Sequence, residues 1–113
     1  QQALVLLNDP IYVEAARVFA QRLIAEGGGT ASKRVHWAFG RLLCRAAEEW
    51  EVEALVKLYE KQLAGFRANK DAAAKLVAVG EHPAVGKPAP EELAAWMSVT
   101  RVLLNLHETI TRY

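Results

Sequence analysis

The sequence predicts an all-α fold, an antiparallel bundle of about five to six helices. Apolar residues recur at spacings of three and four along most of the chain, as on the buried face of an amphipathic helix. Alternating apolar and polar residues, which are typical of strands, are rare. Proline and glycine divide the pattern into segments of helical length, and short connections between such segments favour antiparallel neighbours.

The composition is that of an ordinary globular domain. The 113 residues are 52% hydrophobic and 24% charged, with a formal net charge of +1. The 14 basic and 13 acidic residues are interleaved, so no basic face selects a nucleic acid. Apolar runs such as Ala3–Leu7 are far too short to cross a bilayer. We therefore expect neither nucleic-acid binding nor membrane insertion.

The first two segments are separated by a proline. Gln1–Leu7 is predicted to end a helix that begins upstream, and Pro10 suits the first position of a helix over Pro10–Glu26. Three consecutive glycines, Gly27–Gly29, end this helix. Its predicted buried side carries Tyr12, Ala16, Phe19 and Leu23. Its predicted solvent side carries Glu14, Arg17 and Gln21.

The third and fourth segments share a boundary without proline or glycine. Thr30 or Ser32 can cap a helix whose buried residues follow the i, i+3, i+4, i+7 pattern: Val35, Ala38, Phe39, Leu42 and Leu43. Residues 45–49 contain no helix breaker, so a bend and a full loop are both open there. The next helix is predicted to end near Ala68, with these residues buried: Val52, Leu55, Val56, Tyr59, Leu63 and Phe66.

The last two helices flank the longest predicted connection. A short helix is predicted over Asp71–Val79, and Gly80–Ala89 carries two glycines and two prolines. The final helix is predicted from Pro90 to about Arg112. Its apolar side carries Leu93, Trp96, Met97, Thr100, Leu103, Leu104 and His107.

Residues that could carry chemistry are few. The histidines His36, His82 and His107 do not stand at metal-ligand spacings, and His107 is expected to be a core residue. Cys44 is the single cysteine, which excludes an internal disulfide. Four glutamates within Glu48–Glu53 lie at a helix start, where free N–H groups favour negative charge. The sequence predicts no catalytic, metal-binding or cofactor-binding residue, and it does not decide whether the protein is an enzyme.

Two tryptophans are candidates for an interface. Trp37 and Trp50 lie off the main apolar sides of their helices, and exposed aromatic residues grouped in a patch often mark a binding surface. Leu4 and Leu7 of the first segment are the other interface candidates. The alternative interpretation is that the tryptophans pack under a neighbouring loop.

Asn105 interrupts the apolar sequence of the final helix. A buried amide must find hydrogen-bond partners or cost about 1–3 kcal/mol. We expect Asn105 to bind a helix end near Asn8 and Asp9, which makes these three residues a predicted structural clamp.

The motifs at both ends of the chain resemble a known family. Gln2–Pro10 with Val13–Ala16, and Leu93–Trp96 with Leu103–Leu106, resemble the C-terminal part of a planctomycete-type domain of unknown function. Its members are large bacterial proteins that often carry cytochrome-c-like domains. The resemblance implies an accessory domain of an exported or periplasmic protein, and it implies no known reaction. His107 stands where the family commonly has an acid, so the resemblance transfers no catalytic carboxylate.

These observations lead to two hypotheses. The first is that residues 1–113 form a single helical domain, a C-terminal fragment of a longer protein, that docks other domains of its parent or a protein partner without catalysis. The alternative is a fragment that forms one wall of an active or redox site completed by missing domains. Neither hypothesis calls for a cofactor bound by this chain alone.

Overall fold

Five α-helices form the part of the chain that the computed structural model describes, residues 10–78 and 89–111. Side chains are described for residues 13–78 and 89–106. In chain order the helices are α1 (Pro10–Glu26), α2 (Ala31–Leu43), α3 (Glu49–Ala68), α4 (Lys70–Val77) and α5 (Pro90–Thr111). No strand occurs among these residues, so the all-α prediction is confirmed. The predicted segment Gln1–Leu7, the side chain of His107 and most of the Gly80–Ala89 connection lie outside the described residues.

Helix α5 lies at the centre of the bundle. It contacts all four of the other helices, and every residue of Leu93–Met97 is buried. Val99, Thr100 and Leu103 continue this buried region. A helix that is buried around its whole circumference must be apolar on every side. The small side chains of Ala94 and Ala95 meet this requirement while leaving room for neighbouring helices.

Trp96 is the largest fully buried side chain. Its ring stacks on Tyr59 of α3, with 4.1 Å between the ring centroids. Burial raises the pKa of the Tyr59 phenol, and the negative charge of Glu92 raises it further. The Tyr59 phenol is therefore neutral at physiological pH, and its stacking on Trp96 joins α3 to α5.

Arg34 connects three helices around this aromatic pair. Its guanidinium donates hydrogen bonds to the carbonyl oxygens of Ile24 and Gly28, at 3.4 and 3.2 Å, where α1 ends. It also pairs with Glu92 at 3.5 Å and lies 6.0 Å from the centroid of the Trp96 ring. A cation near the free carbonyl groups of a helix end is favourable. Arg34 of α2 thus fixes the end of α1 against the start of α5.

The end of α1 and the start of α2 are formed by residues that the sequence predicted, and Asn69 adds a cap that it did not. Gly28 has a φ of 108° at the end of α1, a conformation that favours glycine. Thr30, rather than Ser32, caps α2 and accepts a hydrogen bond from the Lys33 N–H at 3.2 Å. Asn69 separates α3 from α4 and accepts from the Ala72 N–H at 3.2 Å.

The boundary between α2 and α3 is a loop rather than a bend. Cys44 ends α2 in the left-handed conformation, with a φ of 57°, and residues 44–48 are not helical. The Glu51 carboxylate then accepts the N–H of Glu48 at 2.8 Å, which satisfies a free donor at the start of α3. The predicted capping role of the acidic cluster is confirmed for this residue.

The prediction that Arg17 faces solvent is wrong. Its side chain is 1% exposed and lies 3.8 Å from the Glu14 carboxylate. Helix α1 contacts both α2 and α5, so its buried face is wider than the apolar stripe of the sequence. Arg17 falls within this wider face.

We expect replacement of Trp96 by Ala to lower the free energy of unfolding by about 3–5 kcal/mol, since a large buried side chain leaves a cavity that the core fills only in part. Urea denaturation measures the change. The same substitution at Trp50, which is 65% exposed, is the control and should cost about 1 kcal/mol or less at a concentration at which the chain is monomeric. Equal losses at the two positions would contradict the central place of Trp96.

Candidate functional site

The large apolar side chains that remain exposed lie together. Among the described side chains these are Trp50, which is 65% exposed, and Val102 and Leu106, which are each 39% exposed. All three line one groove between the start of α3 and the C-terminal half of α5, which we name the α3/α5 groove. Single exposed apolar residues are ordinary on protein surfaces, whereas contiguous ones mark binding sites.

The α3/α5 groove is continuous with the hydrophobic core. Its volume is about 270 Å³, and its other apolar lining residues are Phe39, Leu43, Ala54 and Leu55. Phe39 and Leu55 also belong to the buried core. Because three helices contribute to the groove, its shape depends on their packing, and an apolar side chain entering it would contact the core directly.

One ion pair lies at the edge of the groove. Arg45 and Glu51 are its charged lining residues, and they form two parallel hydrogen bonds of 3.0 and 2.7 Å. The hydrogen bond from Arg45, followed by that from the Glu48 N–H, lowers the pKa of Glu51 to about 2. The guanidinium of Arg45 also lies 4.7 Å from the centroid of the Phe39 ring. Because the two charges are paired with each other, the contribution of Arg45 and Glu51 to the groove is to form part of its wall.

A more polar depression adjoins the groove along the same two helices. Its volume is also about 270 Å³, and its lining residues are Leu58, Gln62, Ser98, Arg101, Val102 and Asn105. Val102 lines both the groove and the depression. The Ser98 hydroxyl lies 3.5 Å from the Gln62 amide oxygen and 3.2 Å from the Ala94 carbonyl oxygen. The surface between α3 and α5 is therefore apolar near Trp50 and polar near Gln62.

The structure places the two candidate tryptophans apart. Trp50 lines the α3/α5 groove, whereas the half-buried Trp37 packs on Phe19, with 5.4 Å between the ring centroids. The guanidinium groups of Arg41 and Arg22 lie 4.9 and 6.0 Å from the Trp37 ring centroid. Trp37 lines neither the groove nor the adjoining depression, and its role in an interface stays a prediction. The other interface candidates, Leu4 and Leu7, lie outside the described residues.

The predicted clamp is described at one of its ends only. Asn105 is half-buried and lines the polar depression. Asn8 and Asp9 lie outside the described residues, so the clamp stays a prediction.

Sequence reasoning missed two residues of the groove. Val102 and Leu106 stand four residues apart on α5, which puts them on one side of that helix. They flank the buried stripe that contains Leu103. One feature of the sequence could have revealed them: α5 carries more apolar residues than one buried stripe accounts for.

Two further observations concern the described residues alone. No group of three or more His, Cys, Asp or Glu side chains among them is placed to hold a metal ion. None of the helices that they form combines the length and apolar character needed to cross a membrane.

The chain belongs to a family described as proteins of unknown function (DUF1553), whose model matches residues 1–59. The matched segment contains α1, α2 and the first half of α3, and so includes Trp50. The expectation of a domain of unknown function is thereby confirmed. No curated protein and no solved structure shows significant similarity to the chain.

We expect the Arg45–Glu51 pair to make stability depend on pH. The pKa of Glu51 falls from 4.5 to about 2 in the folded chain, so its contribution is present above the unfolded value and is lost as pH falls towards 2. Glu51→Gln keeps an acceptor for the Glu48 N–H but removes the charge. The stability difference between wild type and this variant should therefore shrink between pH 4.5 and 2 in urea titrations.

Glu60→Gln is the matched control, because the Glu60 carboxylate is exposed and makes no ion pair among the described residues. A wild-type advantage over Glu51→Gln that stays constant across this pH range would contradict the assignment.

We expect Asn105→Leu to lower the melting temperature, because leucine cannot replace the hydrogen bonds of an amide in a clamp. The loss should be of the order of 1 kcal/mol, typical of one hydrogen-bonded side chain. Thermal unfolding followed by circular dichroism measures it. An unchanged or higher melting temperature would show that Asn105 clamps nothing.

Proposed function

We propose that this chain is a non-catalytic helical docking module whose α3/α5 groove receives apolar side chains from a protein surface. That surface belongs to another domain of a longer parent protein or to a separate protein chain. The observation that carries the proposal is the convergence of Trp50, Val102 and Leu106 on one groove.

The transfer free energy of its exposed surface favours burial of Trp50 by a partner. Tryptophan is among the residues that contribute most to binding when they reach the centre of an interface. A side chain that is 65% exposed leaves about 130 Å² of surface to bury, which corresponds to roughly 3 kcal/mol at the usual transfer coefficient. A partner that excludes water from Trp50 would gain this transfer free energy, from which the entropic cost of association is subtracted.

The charges on the groove support docking rather than a wall of an active site. Catalysis needs ionisable groups directed at the reacting atoms. The charged side chains that line the α3/α5 groove are Arg45 and Glu51, and they bind each other at 2.7 Å. This leaves apolar contact as the chemistry that the groove offers.

The resemblance of the terminal motifs supplies the setting of the proposal. It favours a module in the C-terminal part of a large, exported or periplasmic bacterial protein, in which cytochrome-c-like domains are among the candidate neighbours. The family match over residues 1–59 supports membership in the family, and the neighbours and the cellular location belong to the proposal.

Hydroxyl-radical footprinting tests this function by measuring the reactivity of individual side chains. Trp50 should be oxidised several-fold more slowly in cells that make the intact gene product than in the isolated 113-residue chain at a concentration at which that chain is monomeric. Trp96, which is buried, and His36, which is exposed, are internal controls that should react alike in both samples. Equal reactivity of Trp50 in the two samples would refute the docking role.

A further inference from the structure

Helix α3 carries a charge pattern that its own fold does not use. Glu49, Glu53, Lys57 and Lys61 follow one another at intervals of four residues, and all four are exposed. This spacing places them on one ridge of the helix surface, which we name the charged ridge. Among the described residues, none of these four side chains forms an ion pair.

The charged ridge is a poor arrangement for an isolated helix. Glu53 and Lys57 attract each other at the i, i+4 spacing, but Glu49 repels Glu53 and Lys57 repels Lys61. Each such interaction amounts to about 0.2–0.5 kcal/mol, so among these four residues the two repulsions outweigh the attraction, while Glu60, three residues after Lys57, adds one attraction from outside the ridge. The helix dipole favours Glu49 in the first turn but has little effect on Lys57 and Lys61, which lie away from both ends.

The neighbouring ridge of α3 is largely apolar. Trp50, Ala54, Leu58 and Gln62 have the same spacing of four, and we name them the apolar ridge. Trp50 and Ala54 are exposed, whereas Leu58 is half-buried. Two helices that interlock such ridges cross at about −50°. The small side chain of Ala54 near the middle of the ridge lets a second helix approach closely.

From these two ridges we infer that the surface covering Trp50 is the α3 helix of a second copy of this chain, packed antiparallel. In this arrangement Glu53 meets Lys57 of the second copy and Glu49 meets its Lys61. Two-fold symmetry repeats both contacts. The inference rests on the proposed docking function, since it names the partner that covers Trp50.

The two ridges place the symmetry axis within one residue of each other. The charged ridge is self-complementary about residue 55, midway between Glu53 and Lys57. The apolar ridge pairs with itself about residue 56, which brings Trp50 of one copy over Leu58 and Gln62 of the other. These residues line the depression beside the α3/α5 groove, so each copy supplies both a projecting tryptophan and a place to receive one.

Sedimentation equilibrium of the intact gene product, from about 1 to 100 μM, tests the inference through a charge swap. Glu53→Lys should weaken self-association at least about tenfold, because it replaces two attractive contacts with two repulsive ones. The double variant Glu53→Lys with Lys57→Glu restores opposite charges across the axis and should recover the wild-type dissociation constant within about threefold. Glu60→Lys changes the charge equally at an exposed position on neither ridge, and it should leave self-association unchanged.

The inference is overturned if the intact protein is monomeric throughout this range, if Glu53→Lys and Glu60→Lys act alike, or if the double variant fails to recover. Circular dichroism of each variant confirms that the helices are formed. A monomeric protein whose Trp50 is nevertheless protected in cells would retain the docking function with a different partner. A Trp50 that stays reactive in cells would end both proposals.

Discussion

The burial of α5 on all sides over Leu93–Met97 is the constraint on which the rest of the structure depends. An apolar helix in the middle of a small bundle must be covered by its neighbours, and each of the four other helices contributes a face to it. The stacking of Trp96 on Tyr59, together with Arg34 at the end of α1, fixes the direction from which three of these helices approach. The positions of the loops and caps follow from that arrangement.

The candidate binding surface lies where the other helices no longer cover α5. Helix α5 continues past its buried residues to Thr111, and its apolar residues Val102 and Leu106 are exposed beside the start of α3. Trp50 stands at the matching end of α3, because the two helices run antiparallel. The α3/α5 groove is thus the uncovered edge of the same apolar surface that forms the core.

The sequence identified Trp50 as a candidate but not the groove that it lines. A tryptophan off the buried stripe of its helix is visible in the periodicity of a single segment. The convergence of Trp50 with Val102 and Leu106 depends on the pairing of α3 with α5, which joins residues about fifty positions apart. Trp37 also lies off the buried stripe of its helix, yet it packs on Phe19 and does not line the α3/α5 groove. Periodicity alone could not separate the two tryptophans.

What the sequence by itself determined is the number, order and approximate bounds of the helices within the described residues, together with Thr30 or Ser32 as the cap of α2 and the capping role of the acidic cluster at the start of α3. These features depend on contacts within a few residues along the chain, which local patterns encode. The tertiary structure alone decided which faces of each helix are covered: it buried Arg17, separated α2 from α3 by a full loop, and left the α3/α5 groove open. Which faces of a helix are buried depends on how many other helices pack against it. The apolar pattern of a single segment does not specify how many helices do so.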